Sequence, residues 1–374
     1  MPKRYLFTLH SIAGLIAGIF ILALSLSGAL LPFRDSIDAL QKPKVGNVNT
    51  NGGWTIYPPL SALHDTAANE KKITVDSCYQ IIRQQYPHAQ ISNCSLPDKP
   101  SLPVSFFIYD SSYRKGAATM EVFIDPRSGA ILGSRGGKDD ITHNFMSWLS
   151  AFHSSFHAGK TGEWLLGVFA IVFVISLITG IILFRKNIAA VITFKKKAWT
   201  KNNLHQIIGT WALLFNVMIG ISGFWMQRYV FKKEFYQSND WVNTIKPSPH
   251  LFFNFDSAYN QVQKQYPGFT GYVIYFAQNK KGKTAIYGSN NTNAYIHSKK
   301  FADVIALDST GAVAKTRFIN EISADNRYDI INSQLHMGKY GGLGIKIIYS
   351  LFGLTGALLS ITGFLLWRRR RRIA

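Results

Sequence analysis

Four histidines stand in local sequences that occur twice, which makes them the first candidates for chemistry. His10 lies in Leu9-His10-Ser11-Ile12-Ala13-Gly14, and His205 lies in Leu204-His205-Gln206-Ile207-Ile208-Gly209. His336 lies in Leu335-His336-Met337-Gly338-Lys339-Tyr340-Gly341, whose spacing matches Phe156-His157-Ala158-Gly159-Lys160-Thr161-Gly162. Neutral imidazole is a common ligand of transition metals, so these repeated histidines predict a metal or haem site.

The histidines lie beside the ends of four long apolar segments, residues 11–33, 164–184, 207–227 and 343–367. Each segment exceeds the roughly 20 residues that a helix needs to cross a hydrocarbon core. Backbone in lipid must satisfy its own hydrogen bonds, so all four are predicted as transmembrane helices. A signal peptide is the alternative for the first segment, but the apolar run is too long and no cleavage site follows. The predicted fold class is therefore membrane α-helical.

The charge distribution indicates topology rather than nucleic-acid binding. The net charge is +21, yet only 16% of the residues are charged. Basic residues without any acid occupy the N-terminus, the loop 185–204 and the C-terminal tail, whereas the two long segments between the helices mix both signs. Short loops rich in Lys and Arg mark the cytoplasmic side. We therefore predict a bacterial inner-membrane protein with both termini in the cytoplasm, membrane lipid at its basic loops and no nucleic-acid partner.

The chain reads as one unit written twice. The pair Ser27-Gly28 follows His10 at the same spacing as Ser222-Gly223 follows His205, and Thr179-Gly180 and Thr362-Gly363 close the second and fourth helices alike. Residues 77–87 and 257–267 both predict a short helix ended by proline, and strand-like stretches follow at 104–109 and 271–276. Turn sequences then recur at 123–130 and 306–312. This pattern predicts two copies of helix, outside α+β domain and helix.

The predicted boundaries follow from the helices. They are 1–10 for the cytoplasmic N-terminus, 11–33 for the first transmembrane helix, 34–152 for the first periplasmic domain, 153–184 for a periplasmic helix start and the second transmembrane helix, 185–204 for the basic cytoplasmic loop, 205–229 for the third helix, 230–335 for the second periplasmic domain, 336–367 for the fourth helix and 368–374 for the basic tail.

Two facing helices that each offer a histidine at one depth form the axial arrangement of a b-type haem. We pair His10 with His205 at the cytoplasmic face, and His336 with a histidine of the second helix at the outer face. A flat macrocycle requires small residues beside it, and Gly14 and Gly209 stand one turn beyond the inner histidines. Glycines at the far end of each helix are interpreted as gaps for the haem of the other face: Gly28, Gly180, Gly223 and Gly363. Glycines near the outer pair are interpreted likewise: Gly159, Gly162, Gly338, Gly341 and Gly342. Covalent attachment is excluded because the chain has no CxxCH sequence.

The fourth axial ligand has two candidates, His153 and His157. Local sequence favours His157, whereas register favours His153, because His153 precedes Gly180 by the same spacing as His336 precedes Gly363. Helical phase decides where a side chain points, so His153 is preferred. If the second helix begins as early as Phe152, His157 lies one turn along the same face as a substitute ligand or as a propionate or substrate contact. Zinc held by His153, His157 and His336 is the competing metal interpretation.

Other polar side chains carry weaker predictions. Lys160 and Lys339 occupy equivalent positions in the two halves. They are predicted either to contact haem propionates or an anionic chelate, or to extend as snorkelling side chains to the membrane interface. Cys78 and Cys94 lie in the first outside segment, where they are predicted to form either a disulfide or two buried thiols. The sequence holds no nucleotide-binding or hydrolase motif, so no catalytic side chain is nominated and the electron donor must be a separate reductase or a quinol.

The whole chain resembles the PepSY-associated transmembrane family of bacterial iron-regulated inner-membrane proteins, whose better understood members act as ferric-siderophore reductases. The resemblance rests on Leu9-His10 with Gly14, Phe152-His153 with Gly159, Gly162 and Gly167, Leu204-His205 with Gly209, Leu335 to Gly342, and Trp367 with the arginine run. It implies two b-type haems, outward electron passage and PepSY-like outside domains. The family usually has Leu where this chain has Phe152.

The predicted function is therefore transmembrane electron transfer through two haems to a ferric siderophore or other ferric chelate, with release of ferrous iron. The axial ligands would be His10 with His205 and His153 with His336. An alternative from another class is a non-redox membrane anchor whose outside domains bind a peptidase, a peptide or a cell-wall ligand.

Overall fold

A computed structural model describes residues 3–43, 74–97, 102–110, 118–195, 199, 203–237, 251–290, 296 and 300–371. It divides into a helical unit, residues 1–35, 149–238 and 331–374, and a sheet unit, residues 36–148 and 239–330. Three lysines of the predicted basic loop, Lys196, Lys197 and Lys201, lie outside the described residues. In chain order the elements are α1 (Lys3–Leu30), α2 (Arg34–Gln41), α3 (Val75–Gln85), β1 (Gln90–Ser95), β2 (Val104–Asp110), β3 (Ala118–Ile124), β4 (Ile131–Gly136), α4 (Phe145–Ser155), α5 (Gly159–Ile192), α6 (Leu204–Trp211), α7 (Leu213–Gln227), α8 (Lys233–Gln237), α9 (Phe255–Gln265), β5 (Phe269–Tyr275), β6 (Thr284–Asn290), β7 (Asp303–Leu307), β8 (Val313–Arg317), α10 (Ala324–Met337) and α11 (Leu343–Arg371).

Three helical stretches of the described chain are long and apolar enough to cross a membrane: Lys3–Gln41, Gly159–Ile192 and Leu343–Arg371. A fourth span results if Leu204–Trp211 and Leu213–Phe231 are taken together, and these bend by 65° at a break. At the break the Asn216 side chain donates from Nδ2 to the carbonyl oxygen of Ala212 at 3.0 Å. The protein is therefore a multi-pass membrane protein with three or four candidate spans, by length and composition.

Short separate helices precede the spans α5 and α11, which differs from the predicted boundaries. Helix α4 ends at Ser155 and α5 begins at Gly159. Between them Phe156 and His157 have φ values of 49° and 56°, a left-handed conformation that cannot continue an α-helix. His157 therefore does not lie one turn along the same helical face as His153. In the second half α10 ends at Met337, and Gly338 takes a φ of 62° at the equivalent turn.

The sheet unit contains one antiparallel sheet of eight strands in the order β4-β3-β2-β1-β5-β6-β7-β8. Strands β1 and β5 join the two halves of the chain, with Cys94 opposite Ile274. The predicted short helices at 77–87 and 257–267 are confirmed as α3 and α9, and the predicted strands as β2 and β5. The turns at 123–130 and 306–312 connect β3 to β4 and β7 to β8, as predicted.

One apolar core packs α3 and α9 against the sheet. Its largest fully buried side chains include Tyr79, Tyr259 and Phe106. Cys78 and Cys94 belong to this core as two free thiols, the second of the two alternatives predicted for them. Burial raises the pKa of the Cys78 thiol to about 12, so this sulfur stays protonated at neutral pH.

The N-termini of α3 and α9 cap each other through two carboxylates. Asp256 accepts from the backbone N–H groups of Val75 and Asp76, at 3.2 and 2.8 Å. Asp76 in turn accepts from the N–H groups of Phe255 and Asp256, at 3.0 and 2.8 Å. Each carboxylate therefore satisfies two donors that the partner helix leaves open, so the two halves of the sheet unit stabilise one another.

This reciprocal cap predicts that the sheet unit loses stability as the pH rises. Burial, together with the neighbouring carboxyl of Asp76, raises the pKa of Asp256 to about 7. The folded state holds a proton that the unfolded state releases above about pH 4. The stabilisation is therefore full below pH 4 and is lost between about pH 4 and 7, on the order of a few kcal/mol.

Hydrogen exchange of the α3 and α9 amides, corrected for intrinsic rates, measures this loss of stability. Protection should be stronger at pH 5 than at pH 8. Asp256→Asn is the matched variant, and its protection should vary little with pH. An unchanged pH dependence in that variant would assign the effect to other groups.

Candidate functional site

His10 lies on α1, and α5 holds its ring. The ring nitrogen Nδ1 is 3.0 Å from the backbone carbonyl oxygen of Ser176 and 3.2 Å from the hydroxyl oxygen of Thr179. Gly180 follows Thr179 in the chain, and a Cβ at this glycine would stand 3.1 Å from His10 Cε1. A carbonyl oxygen can only accept, so Nδ1 carries the hydrogen and Nε2 keeps its lone pair.

His153 lies on α4 and is held by α1 in the same way. Its Nδ1 is 2.9 Å from the hydroxyl oxygen of Ser27, and the backbone of Leu24 also hydrogen-bonds to the ring. The Ser27 hydroxyl donates its own hydrogen to the carbonyl of Ala23 at 2.9 Å, so it accepts from the histidine. A Cβ at Gly28 would stand 2.9 Å from His153 Cε1, too close for any side chain there.

His205 lies on α6 and is held by α11. Its Nδ1 is 2.9 Å from the hydroxyl oxygen of Thr362, and it also bonds to the carbonyl of Leu359. A Cβ at Gly363 would stand 3.3 Å from His205 Cε1. The arrangement leaves Nε2 of this ring with its lone pair as well.

His336 lies on α10 and is held by α7. Its Nδ1 is 3.0 Å from the hydroxyl oxygen of Ser222, and it also bonds to the carbonyl of Ile219. A Cβ at Gly223 would stand 3.0 Å from His336 Cε1. The protein thus repeats one local arrangement at each of the four histidines.

We name this arrangement the hydroxyl–glycine seat: a serine or threonine accepts from Nδ1–H, and the following glycine leaves room for the ring. In each case the backbone of the residue three positions before the hydroxyl also hydrogen-bonds to the histidine. A hydrogen bond at Nδ1 fixes the tautomer and the ring orientation, which is how proteins prepare Nε2 as a metal ligand. The four seats are Thr179-Gly180, Ser27-Gly28, Thr362-Gly363 and Ser222-Gly223.

His10 and His205 line one cavity of about 680 Å³ within the helical unit. Gly14 and Gly209 line it too, as the sequence predicted, and a Cβ added at either glycine would make only ordinary van der Waals contacts. Apolar side chains such as Phe173 form most of the wall. The volume lies within the range of cofactor cavities, roughly 300–1,000 Å³.

His153 and His336 face each other directly. Their ring centroids are 6.4 Å apart and the ring planes are inclined by 51°. One iron between two Nε2 atoms, with bonds of roughly 2 Å and ring nitrogens roughly 1 Å from each ring centre, gives a centroid separation of about 6 Å. The observed spacing therefore suits a single metal ion between the two imidazoles.

His157 lies in the turn between α4 and α5. Its ring is 6.3 Å from that of Phe152, and the hydroxyl–glycine seat on α1 holds His153 instead. The ring that stands 6.4 Å from His336 is likewise that of His153. The structure thus supports His153 as the fourth ligand candidate.

The far-end glycines have a different role from the one predicted. Gly28, Gly180, Gly223 and Gly363 admit imidazole rings, whereas the prediction had them leave gaps for a macrocycle.

The turn glycines near the outer pair also serve the backbone. A Cβ at Gly162 would overlap the carbonyl oxygen of Ser155, and Gly338 takes a positive φ next to Tyr349. The ammonium of Lys160 lies 5.9 Å from the ring centre of Phe235.

Zinc at His153, His157 and His336 finds no support. Nowhere in the described chain do three or more His, Cys, Asp or Glu side chains come together in a group that could hold a metal ion. Structural zinc needs about four such ligands in one place. His153 and His336 instead form a pair, and His10 and His205 line one cavity, so a macrocycle could supply the remaining ligands.

The hydroxyl partners are the functional residues that sequence reasoning missed. Their signal was visible, because Ser27, Thr179, Ser222 and Thr362 each precede a repeated glycine. In the sequence analysis these pairs indicate only duplication, and their glycines only space for a haem. Recognising them as histidine partners requires knowing which helices are neighbours.

Comparison with known protein families gives a match over nearly the whole chain. No curated protein sequence matches the chain. The family described as the PepSY-associated TM region matches residues 7–370. Because this match spans nearly the whole sequence, the chain belongs to the PepSY-associated TM family.

Proposed function

We propose that this protein is a dihaem electron-transfer protein of the bacterial inner membrane that reduces a ferric siderophore or another ferric chelate. One b-type haem would be held by His10 and His205, and the second by His153 and His336. The donor would be a cytoplasmic reductase or a membrane quinol. The observation that carries the proposal is the hydroxyl–glycine seat, which leaves a lone pair on Nε2 at all four histidines.

The repeated seats also support the proposed architecture of two duplicated halves with four spans. Each histidine of the first half is held by a residue of the first half, and each of the second half by the second. The sheet order runs outward from β1 and β5 in the same sequence of strands on both sides. The basic runs at both termini support a cytoplasmic location for them.

The chain's own residues have defined tasks in this function. The hydroxyls and carbonyls at Nδ1 hold each imidazole in one tautomer, so that Nε2 points at the metal position without rearrangement. Mostly apolar side chains line the cavity at His10 and His205, which lowers the polarity around a bound haem. Haem, when bound, supplies a one-electron carrier whose potential depends on axial ligands and burial. The substrate accepts one electron as Fe³⁺ becomes Fe²⁺, which hard oxygen donors bind less tightly.

The absorption spectrum of the purified protein tests the proposal. Protein from cells supplied with haem should carry two haems per chain and show a Soret band that shifts on dithionite addition. The reduced protein should then be reoxidised by a ferric chelate in stopped flow, with ferrous iron trapped by a chromogenic chelator. A colourless preparation would contradict the proposal and favour the alternative function, a non-redox membrane anchor.

Ser27→Ala tests the positioning role of the hydroxyl. The variant removes the hydroxyl at Nδ1 and leaves the backbone of Leu24 as a hydrogen-bond partner of His153. We expect the second haem to bind roughly 10–100-fold more weakly, because outer-shell partners of metal-bound histidines have effects of this size. Haem transfer to apomyoglobin measures the change. Ser27→Thr keeps the hydroxyl and should restore binding, and equal loss in both variants would point to packing instead.

A further inference from the structure

The cavity at His10 and His205 is polar and cationic at one end. Arg370 and Arg371, from the last turn of α11, line it together with the amides of Asn187 and Gln206. The two amides are bonded to each other, Asn187 Nδ2 to Gln206 Oε1 at 2.8 Å. No acidic side chain lines the cavity among the described residues. A ligand that fits must therefore be apolar along most of its length and anionic at this end.

Aromatic contacts hold both guanidinium groups in place. The Arg370 guanidinium carbon lies 4.3 Å from the ring centre of Phe7, and that of Arg371 lies 4.7 Å from the ring centre of Trp367. Such stacking limits the freedom of the side chains while leaving the N–H groups able to donate. The arginines are therefore partly organised before any anion binds.

The arginine run of α11 divides into two pairs. Arg368 and Arg369 belong to the same helix and are exposed, but they do not line the cavity. A purely topological role for the run, as cytoplasmic positive charge, makes no distinction between the pairs. Only Arg370 and Arg371 line the cavity, so this pair is placed to contact a ligand bound there.

We propose that Arg370 and Arg371 bind the two propionate carboxylates of the haem held by His10 and His205. This inference rests on the proposed function. Guanidinium and carboxylate form paired, charge-assisted hydrogen bonds, and two arginines match two carboxylates. The haem edge that carries the propionates then faces the end of the helical unit where α1 begins and α11 ends. The same cations suit the phosphate of a lipid headgroup, which the experiment separates.

The test compares haem release from two charge-matched variants, Arg370→Gln/Arg371→Gln and Arg368→Gln/Arg369→Gln. Both are made in full-length protein carrying His153→Ala, so that the His10–His205 site is the one studied. Transfer to apomyoglobin should be about tenfold faster for the first variant and within about twofold of the parent for the second. Equal rates for both variants, or equal acceleration, would overturn the proposal. The lipid-phosphate interpretation predicts equal rates.

A second arm removes the negative charges from the ligand instead of the positive charges from the protein. The same full-length protein, from haem-deficient cells, is loaded with haem or with haem dimethyl ester, which lacks the carboxylate charges. The ester should leave the parent protein about as fast as haem leaves the Arg370→Gln/Arg371→Gln protein, and the substitution should have no further effect on the ester. An ester that is held as tightly as haem would contradict the proposal. If the His153→Ala parent binds no haem at all, the proposed function itself fails, which is a separate result.

Discussion

Replacement of His10 by alanine is expected to lower the haem content of the purified protein from two per chain to one. His10 would supply the α1 ligand of the first haem, and Gly14 beside it offers no substitute donor. Loss of an axial ligand should weaken binding by more than about 100-fold, because even outer-shell partners contribute 10–100-fold. The second haem should stay, since His153 and His336 depend on the seats at Ser27 and Ser222 instead.

Pyridine haemochrome quantification and a redox titration measure this result. The wild-type protein should titrate in two steps, and His10→Ala should lack one step while the other keeps its midpoint. His205→Ala should give the same spectrum as His10→Ala, because both would remove the same haem. His143→Ala is a suitable control, since this side chain is 72% exposed and bonds to Asp140 in the sheet unit. Loss of both haems, or of neither, from His10→Ala would break the proposed pairing.

The second large effect separates two neighbouring histidines. His153→Ala is expected to remove the second haem, whereas His157→Ala is expected to retain both. The reason is orientation: His153 is held by Ser27 and Gly28 and stands 6.4 Å from the ring of His336. His157 lies in the following turn, with a positive φ and its ring near Phe152.

Haem content and the reduced spectrum of the two variants decide the matter. His153→Ala should match His336→Ala, with one six-coordinate haem left in each. The pair is well controlled because both substitutions remove an imidazole within five residues of each other. Loss of a haem from His157→Ala but not from His153→Ala would contradict this assignment. His157 would then be the axial ligand, as its local sequence match with His336 suggests.

Much of the fold followed from the sequence because its signals are local. Apolar runs longer than a bilayer needs predict spans wherever they occur, and three of them are single helical stretches in the structure. The short helices before Pro87 and Pro267 were likewise local patterns and are confirmed as α3 and α9. The preference for His153 over His157 used register alone, and the structure agrees in bringing His153 to His336.

The remaining features depend on contacts between distant segments, which a local pattern does not carry. The turn at Phe156 and His157 uses left-handed backbone at two successive residues other than glycine, which is uncommon, so the residue types did not predict it. The 65° bend near Ala212 has no proline, and Gly209, three residues earlier, was interpreted as space for a haem and not as a break. The pairing of β1 with β5 joins strands from opposite halves, and the reciprocal caps of Asp76 and Asp256 exist only after that pairing.

The hydroxyl–glycine seats and the proposed haems connect different parts of the chain. Each seat connects a histidine to a helix of its own half: α1 with α5 and α4 in the first half, α6 with α11 and α10 with α7 in the second. The proposed axial pairs, His10 with His205 and His153 with His336, connect one half to the other. Each half therefore orients its own imidazoles, whereas each proposed iron would be shared between the halves. Haem would then add a link between the two halves, so a chain cut between α5 and α6 should hold together more firmly when haem is supplied.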